Sequence, residues 1–188
     1  FSKVTTFNLD EYIGLPPSHD QSYCYFMHDR LFNHVDINEE NVHVPMGMTP
    51  NPNAFCEWYE DEMERAGGID LQLLGIGGDG HIGFNEPGSS LASRTRVKTL
   101  TEQTIKDNAE LFFGKGKEDL VPKFVITMGV GTILEARKLL LIAFGKRKAA
   151  IVKQLIEGPV TSMVTASALQ LHPDAVVVID EEAAAELE

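Results

Sequence analysis

Short apolar runs separated by helix-like stretches constrain the fold of this chain more than any other feature. Each run is close to continuously apolar, and they span 4–7, 69–76, 124–128, 139–144 and 175–179. Continuous rather than alternating apolar character is typical of parallel strands that are covered on both faces. The stretches between the runs are long enough to hold helices. We therefore expect strands and helices to alternate along the chain.

Two of the intervening stretches have the periodicity of an amphipathic helix. The first, 53–65, repeats apolar side chains at helical spacing, at Phe55, Trp58, Tyr59 and Met63. The second, 147–157, ends before Gly158 and carries a stripe made of Ala150, Ile151, Leu155 and Ile156. The alternation predicts an α/β/α domain of three layers with a mostly parallel, Rossmann-like sheet. Because no linker or repeat divides the sequence, we expect residues 1–188 to form one domain.

The charge balance and composition argue against several classes of protein. Lys and Arg number 16 against 28 Asp and Glu, which gives a net charge of −12. Such a chain repels phosphate backbones and has no local basic patch, so we expect no nucleic-acid partner. No apolar run approaches the ~20 residues of a membrane helix, so we expect no membrane span. Cys24 and Cys56 form no metal or redox spacing, and we expect free thiols in the cytoplasm.

A glycine-rich turn follows the second apolar run. Gly75, Gly77 and Gly80 have the spacing of a dinucleotide-binding loop, which must lead directly into a helix. Here Gly83 and Pro87 follow, and both are poor helix formers, so we reject a dinucleotide site. We expect these glycines to let the backbone turn tightly or approach a ligand.

The same turn carries three side chains that can move protons. In an extended segment Asp79 and His81 point to the same side, and the turn can bring Glu86 back toward the imidazole. Flanking carboxylates would hold the ring in one orientation and raise its pKa toward neutral, which suits a proton shuttle. Two alternatives stay open, a solvated surface turn and a metal site. The metal site lacks a further His or Cys nearby in sequence.

Two further segments follow predicted strands and carry charge. Asp10 and Glu11 follow the first run, where either carboxylate could be a base or could cap a helix or turn. Periodicity does not distinguish between them. The segment 145–148 follows a predicted buried strand and contains Lys148. There, backbone amides and positive charge at a helix start favour an anion, although a solvated basic cluster is the alternative.

Long motifs in this sequence resemble the glucosamine-6-phosphate deaminase family. They lie at 7–16, 74–90 and 93–100, and shorter matches lie at 121–123, 127–132, 145–148 and 167–173. The likeness covers essentially the whole chain. It implies conversion of glucosamine 6-phosphate and water to fructose 6-phosphate and ammonia, in the catabolism of N-acetylglucosamine, with neither cofactor nor metal.

The resemblance implies a role for each group in the motifs. Asp10 matches the base that moves a proton between C2 and C1 of the open-chain sugar. His81 matches the group that opens the pyranose ring, with Asp79 and Glu86 as its partners. Lys148 matches the lysine that binds the substrate phosphate, and we expect the backbone at Gly75 and Gly77 to approach the substrate.

The resemblance also implies an assembly and a regulator. In allosteric members N-acetylglucosamine 6-phosphate binds between subunits, at positions that match Ser89, Arg96, Lys98 and Thr99. Arg96 and Lys98 are two residues apart and would point the same way on an extended segment, as a phosphate site needs. Members associate as trimers or hexamers, so we expect a homo-oligomer.

Two features depart from the family. A glycine- and threonine-rich phosphate loop normally precedes the Asp10 motif, so we expect this sequence to lack that loop and its N-terminal strand or strands. The family's phosphate-binding arginine falls at Glu110 or Leu111, with one residue inserted, and a carboxylate there would repel phosphate. Two other functions therefore stay open, a 6-phosphogluconolactonase-like hydrolase and a non-catalytic sugar-phosphate-binding regulatory protein.

Overall fold

A computed structural model describes the whole chain, residues 1–188, as two compact units. Unit 1 contains Phe1–Ala66 and Thr95–Thr127, and unit 2 contains Gly67–Arg94 and Met128–Glu188. The prediction of a single domain over 1–188 stays a prediction. No helix in the chain has both the length and the apolar character needed to cross a bilayer.

The helices and strands alternate along much of the chain. In order they are β1 (Thr6–Phe7), β2 (Asp10–Tyr12), α1 (Tyr23–Arg30), β3 (Val42–His43), α2 (Pro52–Arg65), β4 (Leu71–Leu74), β5 (Arg96–Thr99), α3 (Glu102–Asn108), β6 (Phe124–Thr127), α4 (Val130–Leu134), β7 (Lys138–Ala143), α5 (Ala149–Ile156) and β8 (Ala175–Ile179). Shorter 3₁₀ segments lie at Phe32–His34, Glu39–Asn41, Glu118–Leu120, Lys146–Lys148 and Thr165–Leu171, and a π-helical turn lies at Ala109–Phe113.

Unit 1 contains a parallel pair, β1 with β3, and an antiparallel sheet in the order β2-β6-β5. In that sheet Thr127 lies opposite Asp10 on one side and Arg96 on the other. The expectation that 124–128 forms a parallel strand is wrong, because both neighbours of β6 run antiparallel to it. An apolar run reports burial but carries no information about the direction of its partners.

Unit 2 contains a parallel sheet in the order β4-β7-β8. Leu139 and Leu141 of β7 are fully buried on one face, whereas Leu73 of β4 and Val176 of β8 are 55% and 42% exposed on the other. Within residues 1–188 the second face of this sheet is therefore only partly covered. Apolar side chains show that a face can be buried, but not that a partner covers it. Parallel pairing in two of the three sheets confirms the mixed α/β class.

Both predicted helices are present, with shifted boundaries. The first is α2, which begins at Pro52 after Asn51, whose side chain accepts a hydrogen bond from the N–H of Ala54 at 3.2 Å. Its buried stripe is Cys56, Tyr59 and Met63, whereas Trp58 is exposed. The second begins as the 3₁₀ segment Lys146–Lys148 and continues as α5. Its buried residues are Ala149, Ile151, Val152 and Leu155, while the predicted Ala150 and Ile156 face outward.

Candidate functional site

The glycine-rich turn of unit 2 begins at the carboxyl end of β4 and folds tightly on itself. The N–H of Gly77 donates to the carbonyl of His81 at 2.9 Å, and the N–H of Gly80 donates to the carbonyl of Gly77 at 3.1 Å. A Cβ on Gly77 would lie 2.3–2.5 Å from ring atoms of His81, so the imidazole rests directly on this glycine. By contrast, a Cβ on Gly75 would meet nothing within 4 Å. No helix follows these glycines, which agrees with the rejection of a dinucleotide loop.

Within this turn the structure brings Asp79 and His81 together. Oδ1 of Asp79 lies 2.6 Å from Nδ1 of His81 and also accepts the backbone N–H of His81 at 3.1 Å. Burial raises the pKa of Asp79, but the hydrogen bonds and charge of His81 lower it by more, so this carboxyl ionises below its usual range. The imidazole therefore has an anionic partner on its Nδ1 side, which orients the ring.

Glu86 lies in the same turn and is 3% exposed. The segment before it is held by Asn85, whose Nδ2 donates to the carbonyls of Ile82 at 2.9 Å and Met128 at 2.8 Å. Asp79, His81 and Glu86 do not form a group of three ligands placed to hold a metal ion, and the chain contains no such group elsewhere.

A distant threonine, which the sequence analysis missed, holds both ends of this turn. Oγ1 of Thr165 donates to the carbonyl of Asn85 at 2.7 Å, and the N–H of Ala166 donates to the carbonyl of Gly80 at 2.9 Å. Asn85 was also missed, although its place beside Glu86 inside a long motif was a usable signal. Thr165 had no local signal, because its partners are about eighty residues earlier in the chain.

Lys148 connects two strand ends of the parallel sheet. It follows β7, and its Nζ donates to the carbonyl of Ile76, beyond β4, at 2.6 Å. The amides at this helix start are already engaged, since Gly145 N–H donates to Asp180 and Lys146 N–H donates to Glu182. Carboxylates from the same chain therefore occupy the amides of Gly145 and Lys146, and an anion site at 145–148 stays a prediction that depends on the Lys148 side chain.

In unit 1 the two neighbouring acids of β2 have different surroundings. Glu11 is 2% exposed and accepts hydrogen bonds from Ser22 Oγ at 2.7 Å and from the N–H groups of Tyr23 and Cys24 at 3.1 and 3.0 Å. Its carboxylate also accepts the N–H of Tyr12. Glu11 therefore stabilises the start of α1, and its acceptor positions are taken by its own chain.

Asp10 is 9% exposed and lies among tyrosine side chains. Burial first, and then the charge of Asp10, raise the pKa of the Tyr12, Tyr23 and Tyr59 hydroxyls well above the usual range. These hydroxyls stay protonated at neutral pH, so none competes with Asp10 as a base. Burial and the charge of Asp10 thus keep these neighbours neutral, and the assignment of Asp10 as the base stays a prediction.

The residues expected at a regulatory site divide between the units. Arg96, Lys98 and Thr99 lie on β5 of unit 1, where Arg96 and Lys98 share one face of the sheet. Burial lowers the pKa of Arg96, which lies near the Cys56 thiol. Ser89 belongs to unit 2, and its hydroxyl is buried with no hydrogen-bond partner.

The segment expected to hold a phosphate-binding arginine forms the π-helical turn Ala109–Phe113. The N–H of Gly114 reaches the carbonyl of Ala109, five residues back, at 2.6 Å. Such a turn accommodates one residue more than an α-helical turn, which fits an insertion here. Glu110 and Leu111 are both exposed. Phe112 lines a pocket of about 140 Å³ within unit 1, together with Tyr12, Asp20, Gln21, Tyr23 and Phe26.

Comparison with protein families gives one match that spans nearly the whole chain. The model of glucosamine-6-phosphate isomerases and 6-phosphogluconolactonases matches residues 1–178. The chain belongs to this family.

Within this family, the similar relatives include several proteins named glucosamine-6-phosphate deaminase. The chain is 56% identical over 188 residues to a glucosamine-6-phosphate deaminase of Hahella chejuensis, covering all of this chain and 70% of the relative. It is 57% identical over the same length to the deaminase of Shewanella woodyi, with the same coverage. It is 54% identical over 184 residues to that of Thermoanaerobacter pseudethanolicus, covering 98% of this chain and 72% of the relative.

The solved structures that resemble this chain differ widely in sequence identity to it. A monomeric glucosamine-6-phosphate deaminase is 47% identical with a TM-score of 0.92, over 97% of this chain and 74% of the other. The 6-phosphogluconolactonase of Trypanosoma cruzi is 21% identical with a TM-score of 0.72, over 95% and 70% of the two chains. The second likeness shows a shared fold alone.

Proposed function

We propose that this protein converts glucosamine 6-phosphate and water to fructose 6-phosphate and ammonia, as a step of amino-sugar catabolism. The observation that carries the proposal is identity of 56–58% across essentially the whole chain to proteins named glucosamine-6-phosphate deaminase. The 6-phosphogluconolactonase function has weaker support, because the solved lactonases are near 20% identical to this chain.

His81 opens the sugar ring in this proposal. The imidazole takes the proton of the O1 hydroxyl and returns a proton to O5 as the C1–O5 bond breaks, which yields the open-chain aldehyde. The Asp79 carboxylate, 2.6 Å from Nδ1, stabilises the imidazolium that exists between the two transfers. Gly77 contributes by leaving room for the ring directly above its Cα. Glu86 is the remaining acid assigned to this step.

Asp10 acts as the base of the isomerisation. Its carboxylate removes the proton from C2 of the open-chain sugar to give an enolamine, and delivers a proton to C1 to give the imine at C2. Water then adds to that imine, and ammonia leaves with fructose 6-phosphate as the second product. A carboxylate suits the step because one oxygen can serve two adjacent carbons with little movement.

Lys148 binds the substrate phosphate through its ammonium group. The Nζ atom already donates to a backbone carbonyl, and a phosphate dianion is a stronger acceptor for the remaining donors of the same group. The backbone at Gly75 and Gly77 is assigned to contact with the sugar. The space around the Cα of Gly75 is open. The exposed Glu110 has no assigned contact with the phosphate.

Regulation, assembly and location are further parts of the proposal. We infer that N-acetylglucosamine 6-phosphate activates the enzyme at Ser89, Arg96, Lys98 and Thr99, within a homo-oligomer such as a trimer or hexamer. The 47% identical solved deaminase is described as monomeric, so light scattering of the purified protein is the direct test of assembly. The two free cysteines favour a reducing compartment, and we assign the cytoplasm.

The decisive experiment measures both products from one substrate. Purified protein is incubated with glucosamine 6-phosphate, and we expect ammonia and fructose 6-phosphate to appear in equal amounts. A parallel reaction contains 6-phosphogluconolactone. Hydrolysis of the lactone alone would support the lactonase function, whereas sugar-phosphate binding with no turnover would support a regulatory protein.

A further inference from the structure

Asp180 lies directly after β8 and engages the turn that precedes Lys148. Its Oδ1 and Oδ2 accept the N–H of Gly145 at 3.0 and 3.1 Å, and Oδ1 also accepts the N–H of Ala183 at 2.8 Å. These donors lower the pKa of Asp180, so the side chain is a carboxylate at neutral pH. Asp180 is thus a fixed anion at the carboxyl end of the parallel sheet.

The hydrogen bonds continue from Asp180 through Gly145 to Lys148. Asp180 holds the N–H of Gly145, and the carbonyl of Gly145 accepts the N–H of Lys148 at 2.9 Å. Gly145 has φ of +85°, a conformation that glycine adopts without strain. From Lys148, the ammonium group reaches the carbonyl of Ile76 at 2.6 Å. Four residues from three strand ends are therefore connected in one series.

The proposed function assigns anion binding at this turn to the Lys148 ammonium, and the neighbouring amides of Gly145 and Lys146 are occupied. The N–H groups of Gly145 and Lys146 are taken by Asp180 and Glu182, so neither can donate to an external phosphate without losing its present acceptor. Binding of an anion here depends on where Nζ of Lys148 points. That direction depends on the turn which Asp180 holds.

We propose that Asp180 is a positioning residue, which directs the Lys148 ammonium toward the substrate phosphate by holding the Gly145 turn. This inference rests on the proposed function, because it takes Lys148 as the phosphate-binding group. The proposal predicts that removing the Asp180 charge weakens phosphate binding, whereas simple electrostatics predicts the opposite. A carboxylate that acted only through its charge would repel phosphate, and removing that charge would tighten binding.

The first test is Asp180→Asn, an isosteric change that removes the charge and replaces one acceptor oxygen with a donor. We expect KM for glucosamine 6-phosphate to rise about five- to tenfold with kcat within about twofold, because a phosphate contact is shared by ground and transition states. The matched control is Asp174→Asn, at the other end of β8, which removes the same charge near Lys138 and should leave KM unchanged. A lower KM in Asp180→Asn would overturn the proposal.

The second test combines Asp180→Asn with Lys148→Met. If Asp180 acts through Lys148, the double variant has the same KM as Lys148→Met alone, because the ammonium it positions is gone. A merely structural role of Asp180 predicts that the KM increases of the two single variants multiply in the double variant. That result would refute positioning. Gly145→Ala supplies an independent variant, since its Cβ meets no atom within 4 Å and only the left-handed φ is strained. It should raise KM in the same direction as Asp180→Asn.

Calorimetric titration with inorganic phosphate and with glucosamine 6-phosphate separates failure of this proposal from failure of the proposed function. If the parent protein releases no ammonia but binds phosphate, the proposed reaction fails. The Asp180 proposal is then judged by whether Asp180→Asn weakens that binding about five- to tenfold. Should Asp180→Asn fail to fold, Gly145→Ala decides, and unchanged phosphate affinity in that variant would refute the positioning role.

Discussion

The imidazole of His81 lies on the Cα of Gly77 so closely that a methyl group there would come within 2.3 Å of the ring. Gly77→Ala must therefore displace the imidazole from its contact with Asp79. A displacement of about 1 Å in a catalytic group can reduce turnover about 10²-fold, and we expect a loss of that order.

The adjacent Gly78 provides the matched control for this change. Its Cβ would meet nothing within 4 Å, so Gly78→Ala should retain most of the activity. Ammonia release from glucosamine 6-phosphate measures both variants, and circular dichroism checks that both are folded. Equal activity in Gly77→Ala and Gly78→Ala would contradict the role of His81.

Substitutions of the two neighbouring acids of β2 should have different effects, on activity for Asp10 and on stability for Glu11. Asp10→Asn removes the proposed base, and we expect turnover to fall by about 10²–10⁴-fold with little change in melting temperature. Glu11→Gln disturbs the buried acceptors at the start of α1 and should destabilise the fold by about 1–3 kcal/mol. Ammonia release and urea unfolding measure the two effects. Normal turnover in Asp10→Asn would remove Asp10 from its assigned role.

His81→Gln should affect ring opening more than isomerisation. On glucosamine 6-phosphate we expect kcat/KM to fall about 10²–10⁴-fold, because proton transfer between O1 and O5 loses its catalyst. A 5-deoxy analogue, which has no O5 and cannot form the pyranose ring, should lose much less. Product formation from both substrates is compared in the same preparation. Losses of the same size on both would argue against ring opening as the function of His81.

The pair of His28 on α1 with Glu39 should make stability depend on pH. Nε2 of His28 lies 3.1 Å from Oε2 of Glu39. Burial lowers the pKa of His28, but the Cys24 carbonyl and Glu39 raise it by more, so the net shift is upward from 6.5. The pair therefore stabilises the fold fully below pH 6.5, and the gain disappears as pH rises through the higher pKa of the folded state.

Glu39→Gln tests this dependence. We expect the variant to lower the melting temperature at pH 6 and to have a much smaller effect at about pH 9. The neighbouring Glu40→Gln removes the same charge from an exposed residue that forms no ion pair, and should have little effect at either pH. A melting-temperature loss in Glu39→Gln that is the same at both pH values would contradict a protonated His28 partner.

Much of the local structure could be predicted from the sequence, because periodicity and turn chemistry depend on near neighbours. The apolar runs located β4, β7 and β8, and the helical stripe located α2 to within one residue of its start. The glycine-rich turn was recognised together with the pair Asp79 and His81, which are two residues apart and meet in the structure. The family was also recognisable, since its motifs are long and continuous.

Contacts between distant segments were decided only by the tertiary structure. Periodicity could not separate Asp10 from Glu11, and only the family resemblance did, because the donors that engage Glu11 lie eleven to thirteen residues later, at the start of α1. Neither the antiparallel partners of β6 nor the carboxylate of Asp180 on Gly145 had a local signal. Side-chain periodicity reports which residues can be buried, whereas the partner of each buried group depends on how the chain returns to meet it.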